Sequence, residues 1–338
     1  MNSNRGFVKI SPEQQQLLRL TASNNLDVAM AAQRAMAQAL QGPLRMGIFD
    51  EDNLGGIFRR EVLAPGAQSN YPLDFVRPGT EDLDFTAIAL PKQGRVPERH
   101  VEGDELWVPT FQVANSIDWS LNYARDARFD VVGRALRVYQ MGFTRKINED
   151  GWHTLLAAAD ARGLVVVDTV AQAGQFTKEL VSKMQTAMTR NAGGNGQTGR
   201  LTDLYVSMEA MEDIRAYDIS EIDDITRREI LNATPEGLAK LYGTILHFMT
   251  EFGVGQEYQL YLTSILGRSV TGADAGDEEF VIGLDLSTGD SFVSPIRQEL
   301  QTFEAGPEMH RRQKAGLYGW VEHGYAVLDN RRLILGTF

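Results

Sequence analysis

The sequence predicts an α+β protein on three observations. About sixty residues between Asp50 and Phe111 read as short strands and turns that cannot make a core of their own. The longest apolar periodicity, from about Arg128 to Arg162, repeats at helical steps of three and four. From Leu164 strands and helices alternate, and the tail beyond Phe280 is dominated by strands.

The first element is a helix. Ser11-Pro12-Glu13-Gln14 supplies a serine cap, a proline at the first helical position and a glutamine at the third. A Gln/Ala-rich helix is expected to about Leu40, with a break near Asn24-Asn25 and an end at Gly42-Pro43. Its modest apolar content suits a helix lying on another surface.

The strand-and-turn segment follows. Period-2 runs (Phe85, Ala87, Ala89; Leu106, Val108) alternate with Pro65-Gly66, Arg77-Pro78-Gly79, Gln93-Gly94 and Val96-Pro97. A two-stranded ribbon is marginal in water unless something covers its face. The segment therefore reads as a projecting hairpin completed by a neighbouring subunit, which points toward assembly and away from catalysis.

A strand from Phe111 through Val113, Ile117, Trp119 and Leu121 leads into the long helix. There Val132, Leu136, Tyr139, Phe143, Ile147 and Leu155 form one row, and Val131, Ala135 and Val138 an adjoining one. If unbroken at Asn148-Glu149-Asp150-Gly151, this helix spans roughly 50 Å at ~1.5 Å per residue. Gly133, Gly142 and Gly151 fall nine residues apart in it, each costing about 1 kcal/mol relative to alanine. Close packing and a need to bend both account for them.

Next come a buried strand at Leu164–Val167, an amphipathic helix at Phe176–Asn191, a strand at Leu204–Ser207 and a short helix at Met208–Ala216. A further helix is expected at Pro235–Phe252, with Leu238, Leu241, Tyr242, Ile245 and Met249 on one side. Strands are expected at Phe280–Leu286, Ser291–Pro295, Gln298–Phe303, Gly316–Leu328 and Arg332–Leu335.

Composition narrows the function. The 338 residues are enough for two or three domains, and 43% hydrophobic with 23% charged residues is ordinary for a globular chain. No apolar run approaches the ~18 residues of a membrane span, and no signal peptide is evident, so a soluble cytoplasmic product is expected. Cysteine is absent, which excludes disulfides, thiolate metal sites and cysteine nucleophiles. A net charge of −12 argues against a surface wholly given to nucleic acid. Up to Arg45, however, Arg5, Lys9, Arg19, Arg34 and Arg45 face only Glu13 and Asp27. Acid concentrates in Asp218–Asp224 and Asp274–Glu279.

No motif carries catalysis. The run Gly193-Gly194-Asn195-Gly196-Gln197-Thr198-Gly199 follows a helix, precedes a strand and lacks a lysine, so a loop is expected and not a phosphate site. A nucleotide-binding α/β enzyme using it remains a remote alternative. His100, His153, His247, His310 and His323 have no ligand spacing, and the acidic clusters lack the pattern of a calcium loop. No cofactor or metal is expected.

The tail from Arg311 to Leu328, centred on Lys314-Ala315-Gly316-Leu317-Tyr318-Gly319-Trp320-Val321-Glu322-His323, resembles the C-terminal segment of tailed-phage major capsid proteins. Asp290-Ser291-Phe292-Val293-Ser294-Pro295-Ile296-Arg297 fits the same pattern. The order of parts is also similar to the Hong Kong 97-type capsid fold: arm, extended loop, spine helix, α/β axial region and a return through strands. The resemblance implies an N-terminal arm over 1–48 and an extended hairpin loop over 49–109. It further implies a peripheral domain over 110–163 and 277–324, and an axial domain over 164–276 and 325–338.

The function implied is a shell protein forming hexamers and pentamers of an icosahedral capsid around double-stranded DNA. Its partners would be itself, a portal protein, a separate scaffolding protein, decoration proteins and non-specifically held DNA. It would assemble in the host cytoplasm and reside in the virion, with no membrane. A separate scaffold is expected because Met1 precedes the arm helix almost directly. An encapsulin-like nanocompartment shell is the alternative with the same fold.

Arg59, Arg60, Arg77, Lys92, Arg95 and Arg99 of the loop would contact neighbouring subunits. Arg5, Lys9, Arg19 and Arg34 would lie near DNA or scaffold on the inner face, and Gly133, Gly142 and Gly151 would let the spine flex. Some family members cross-link a loop lysine to an asparagine. Lys92 is the loop's only lysine and Asn330 a conceivable acceptor, but nothing local pairs them.

Overall fold

The computed structural model describes residues 10–50, 53–72, 105–126, 128–167, 175–190, 199–217, 239–267 and 279–338. The chain divides into two units. The first comprises 1–69, 107–151 and 293–326, and the second 70–106, 152–292 and 327–338.

In the first unit α1 (Pro12–Thr21) starts on the expected capping box: Gln14 N–H donates to Ser11 Oγ at 3.2 Å, and Ser11 N–H to Gln14 Oε1 at 2.9 Å. The helix breaks near Asn24-Asn25 as expected, and α2 runs Leu26–Asp50. It does not end at Gly42-Pro43. Proline at 43 cannot donate to the carbonyl four residues back, that of Ala39. The Gln14 side-chain amide donates to that carbonyl instead, at 3.3 Å. Continuing the helix also buries Leu44 and Ile48 in line with Met36 and Leu40, worth roughly 1.5–3 kcal/mol each, against about 3 kcal/mol for an interior proline.

The sheet of this unit has the order β1-β10-β11-β4, where β1 is Arg59–Val62, β4 Phe111–Ser120, β10 Phe292–Glu304 and β11 Lys314–His323; the short β12 (Ala326–Val327) lies beside β10. β4 and β11 pair antiparallel from Lys314↔Ser120 to His323↔Phe111. β1, which falls within 49–109, pairs in parallel with β10, from Arg59↔Val293 to Val62↔Ile296. β10 joins two expected strands into one, with register shifts around Gln298. At the foot of the loop, Val108 N–H donates to Ser69 O at 3.0 Å, and β2 (Asn70–Pro72) pairs with β3 (Glu105–Trp107). The loop is thus closed as a hairpin at its base; 73–104 lie outside the described residues.

After the five-residue α3 (Leu121–Arg125), α4 runs Phe129–Arg162 as one helix of 34 residues with no break at Asn148–Gly151. Through Gly151 it belongs to the first unit, and from Trp152 to the second. Val132, Leu136, Tyr139, Phe143 and Ile147 are buried against Val113, Trp119, Leu317 and Val321 of the sheet, as their spacing predicts. The adjoining row is not buried: Val131 and Ala135 are half-buried and Val138 is 65% exposed. A single sheet face covers only one row of a straight helix.

The second unit is a mixed sheet ordered β5-β13-β9-β6-β8-β7. Its strands are β5 (Val165–Val167), β6 (Asp203–Ser207), β7 (Ala239–Leu241), β8 (Thr244–Met249), β9 (Phe280–Leu284) and β13 (Leu333–Thr337). On one face α5 (Lys178–Arg190) and α6 (Met208–Ala216) bury Leu180, Met184 and Ile214 against Leu204, Val206 and Ile334. On the other, Trp152 meets Tyr205 at 5.0 Å and Phe252 at 5.1 Å between ring centroids, both edge-on.

Two expectations fail here. β5 is an edge strand and only half-buried. The helix expected at Pro235–Phe252 is a β-hairpin in its described part: β7 and β8 pair antiparallel across Tyr242-Gly243, whose φ angles of 51° and 81° make a two-residue primed turn.

Candidate assembly surfaces

The arginines expected at the inner face are tied to their own chain where they are described. Arg19 lies over the Phe129 ring, 5.5 Å from its centroid, and Arg34 pairs with Glu304 at 3.1 Å. Arg59 sits 3.9 Å from Glu61 on β1. Arg60, beside it, is close to Gly55 and contributes positive potential at the buried His323. Arg5, Lys9, Arg77, Lys92, Arg95 and Arg99 lie outside the described residues, as do Gly193–Thr198, His100, 218–224 and 274–278. Asn330 opens a short 3₁₀ turn capped by Asp329.

At two of the three helix glycines an added methyl would meet a neighbouring side chain. A methyl at Gly151 would strike Leu54 and come within 3.4 Å of the Tyr325 ring. A methyl at Gly142 would lie 2.7 Å from Asn115 Nδ2, which donates to Tyr139 O at 3.1 Å. Gly133 is buried. Gly142→Ala therefore exchanges about 1 kcal/mol of helix propensity for a hydrogen bond of similar worth. We expect a change in stability near zero by urea denaturation, becoming a gain of about 1 kcal/mol when Asn115→Ala has already removed the obstacle.

Three polar sites escape sequence reasoning because their partners are distant along the chain. His247 Nε2 lies 2.7 Å from Asp203 Oδ1, and its ring stacks on Tyr205 at 4.5 Å. Burial alone would raise the Asp203 pKa, but hydrogen bonds from His247 and Thr202 outweigh it and hold it below the usual range. The pair sits on neighbouring strands, Asp203↔Ile245 and Tyr205↔His247. The parallel register alone would not have announced it.

The second site is a buried charge network. Arg332 Nη1 donates to Asp285 Oδ2, which also accepts from Arg200 N–H at 2.9 Å, while Asp285 Oδ1 accepts from Ser287 N–H at 3.0 Å. Arg331 Nε donates to Asp329 at 2.8 Å. The third is Glu279. It is 3% exposed, accepts from Ser207 Oγ, and lies near Glu209 and Asp213. Burial, chiefly, and then the neighbouring carboxylates push its pKa up to about 7 against the Ser207 hydrogen bond.

Among the described residues no group of three or more histidines and carboxylates is placed to hold a metal ion, and no helix is long and apolar enough to cross a membrane. What the described surface offers instead is apolar side chains without cover in a single chain. These include Val138 and Met141 on α4 (65% and 53% exposed) and Ile265 (70%).

No protein-family model matches the sequence, and no curated protein does. Solved structures are similar throughout. One from Microbacterium phage Oxtober96 aligns over 85% of this chain and 90% of its own, with a TM-score of 0.55 at 13% identity. The capsid of an empty GTA particle aligns over 84% and 89%, with a TM-score of 0.55 at 14% identity. The cyanophage Pam1 capsid aligns over 81% and 85%, with a TM-score of 0.53 at 10% identity. The α+β arrangement of this chain is the fold of tailed-phage capsid proteins.

Proposed function

We propose that the chain is a major capsid protein, a structural and non-enzymatic subunit. It assembles into the hexamers and pentamers of an icosahedral shell around double-stranded DNA. The observation that carries this reading is the likeness to phage capsid structures over more than four-fifths of both chains, including 84% and 89% for the GTA capsid. In this reading 1–48 form the arm and 49–109 the extended loop, and the arginine-bearing arm faces DNA or a separate scaffold. Portal and decoration proteins are the further partners, and the virion is the place of residence.

Two features support it. The loop closes at its foot through Ser69 and Val108 but has more than thirty residues beyond β2 and before β3, a length that needs a neighbour to cover it. The uncovered Val138 and Met141 on α4 provide apolar surface for such a neighbour.

Replacing 73–104 by a short Gly/Asn turn retains the β2–β3 foot and tests the reading. The expected product is folded and soluble by circular dichroism and gel filtration, and forms no shells in electron micrographs. Normal shells from this variant would contradict the proposed role of the loop.

A further inference from the structure

In the first unit's sheet β4 is an edge strand of ten residues, paired along one side with β11. The register fixes which backbone groups that pairing satisfies. Leu121 N–H donates to Gln313 O at 2.9 Å, one step beyond the Ser120↔Lys314 pair. Antiparallel pairs alternate, so the amides and carbonyls of Val113, Asn115, Ile117 and Trp119 face β11. Those of Gln112, Ala114, Ser116 and Asp118 face outward, and all four residues are exposed.

The flank of α4 beside this edge is apolar. Asn115 reaches the helix at Tyr139 and Gly142. Val138, one turn before Gly142 on the same face, is 65% exposed. Gln140, two residues from Gly142 and so on the opposite side of the helix, meets α2 at Gly47. A long strand edge beside exposed apolar side chains is a template for pairing with another chain.

One side chain interrupts that edge. Asn115 Oδ1 accepts from Ser116 N–H at 2.9 Å, while its Nδ2 donates to Tyr139 O at 3.1 Å. An added strand would need bonds at every second residue of β4. The amide taken by Asn115 lies in the middle of the run from Gln112 to Asp118. Asparagine is depleted in strands, yet here it sits at mid-strand with both ends of its amide engaged. Gly142 leaves it room, since a methyl there would lie 2.7 Å from Asn115 Nδ2.

We propose that Asn115, seated by Gly142, is an edge guard that keeps β4 closed to strand addition by a second copy of this chain. The inference does not rest on the shell reading. It gives Gly142 a purpose besides flexing: the glycine is the seat of the amide that blocks the edge.

The test uses full-length variants, each checked for native circular dichroism, with self-association read by sedimentation velocity. Asn115→Ala and Gly142→Ala should each lower the concentration needed for association by about tenfold, the scale of one hydrogen bond. Adding Ser116→Pro removes the outward amide and is compatible with a strand edge; it should restore the wild-type value in both. Ser116→Pro alone should associate as wild type does, because the amide it removes is already taken. Residue-resolved hydrogen exchange gives a second readout that needs no proline. In Asn115→Ala the amides of Gln112, Ala114, Ser116 and Asp118 should exchange quickly in dilute solution and slowly once the chain associates.

Wild-type association by Asn115→Ala overturns the proposal, as does excess association that survives Ser116→Pro in a folded chain. Weakened association from Ser116→Pro alone also overturns it, since the edge would then be open and in use. Should the proline variants not fold, exchange decides: outward amides of Asn115→Ala that stay equally fast at low and high concentration refute the guard.

Discussion

Asp285→Ala is expected to destabilise the second unit by about 3–5 kcal/mol, the cost typical of breaking a buried ion pair by removing one partner. Asp285 is fully buried, and its carboxylate accepts from the Arg332 guanidinium, the Arg200 amide, and the amide and hydroxyl of Ser287. Burial opposes its charge, but these donors prevail and its pKa lies below the usual range. Removing the carboxylate deprives Arg332, itself only 5% exposed, of its nearest carboxylate and leaves Asp329 at 3.8 Å as its ion-pair partner among the described residues. The network also fixes the entry to β13, since Asp285 N–H donates to Arg332 O at 2.9 Å. A fall in melting temperature on the order of 10 °C should accompany the loss. Arg332→Met with Asp285→Ala should cost clearly less than the sum of the two single changes. Additive costs in that cycle would show that the pair does not act as one unit.

The second large effect is a pair of opposite pH responses. The Glu279 carboxyl has its pKa pushed up to about 7 from 4.5. Its contribution to stability is full below about pH 4.5. It falls as pH rises and the unfolded chain ionises first, and it is lost once pH passes 7. At about 1.4 kcal/mol per unit the loss is roughly 3–4 kcal/mol.

His323 responds the other way. It is buried between Phe111 and Tyr325, each 5.3 Å away, and neither ring nitrogen has a hydrogen-bond partner among the described residues. Burial first, then the charges of Arg60 and Lys146, press its pKa down to about 4 from 6.5. Its contribution is full above pH 6.5 and is lost as pH falls through 4, again roughly 3–4 kcal/mol. Calorimetry from pH 4 to 8 should show Glu279→Gln gaining stability above pH 7 and little at pH 4.5. His323→Phe should gain at pH 4 relative to pH 7. A Glu279→Gln curve parallel to wild type across the range would mean that the carboxyl titrates normally.

Local chemistry was legible in the sequence wherever its partners were local. The Ser11–Gln14 box, the Val132-to-Ile147 row and the short helix at Met208–Ala216 all depend on residues a few positions apart. Pro43 misled because the donor that rescues the Ala39 carbonyl, Gln14, lies on another helix. Leu238, Leu241, Ile245 and Met249 fit a helical period, yet Thr244, Leu246 and Met249 are the side chains β8 buries. Tyr242-Gly243 was the turn signal that would have separated the two readings.

The capsid fold was legible in the tail and the order of parts, whereas the polar sites were not. Asp203 meets His247 and Asp285 meets Arg332 only after strands distant in sequence have paired. The exposed Val138 shows the same limit from the other side: periodicity marks an apolar row, but not whether the cover is this chain or another.

The most direct test of the shell reading is electron microscopy of the purified, assembled full-length chain. The account predicts closed icosahedral shells whose capsomers are hexamers and pentamers, with the arm side inward. A chain that remains monomeric across concentration and ionic strength, or that forms only open aggregates without five- and sixfold capsomers, would contradict it.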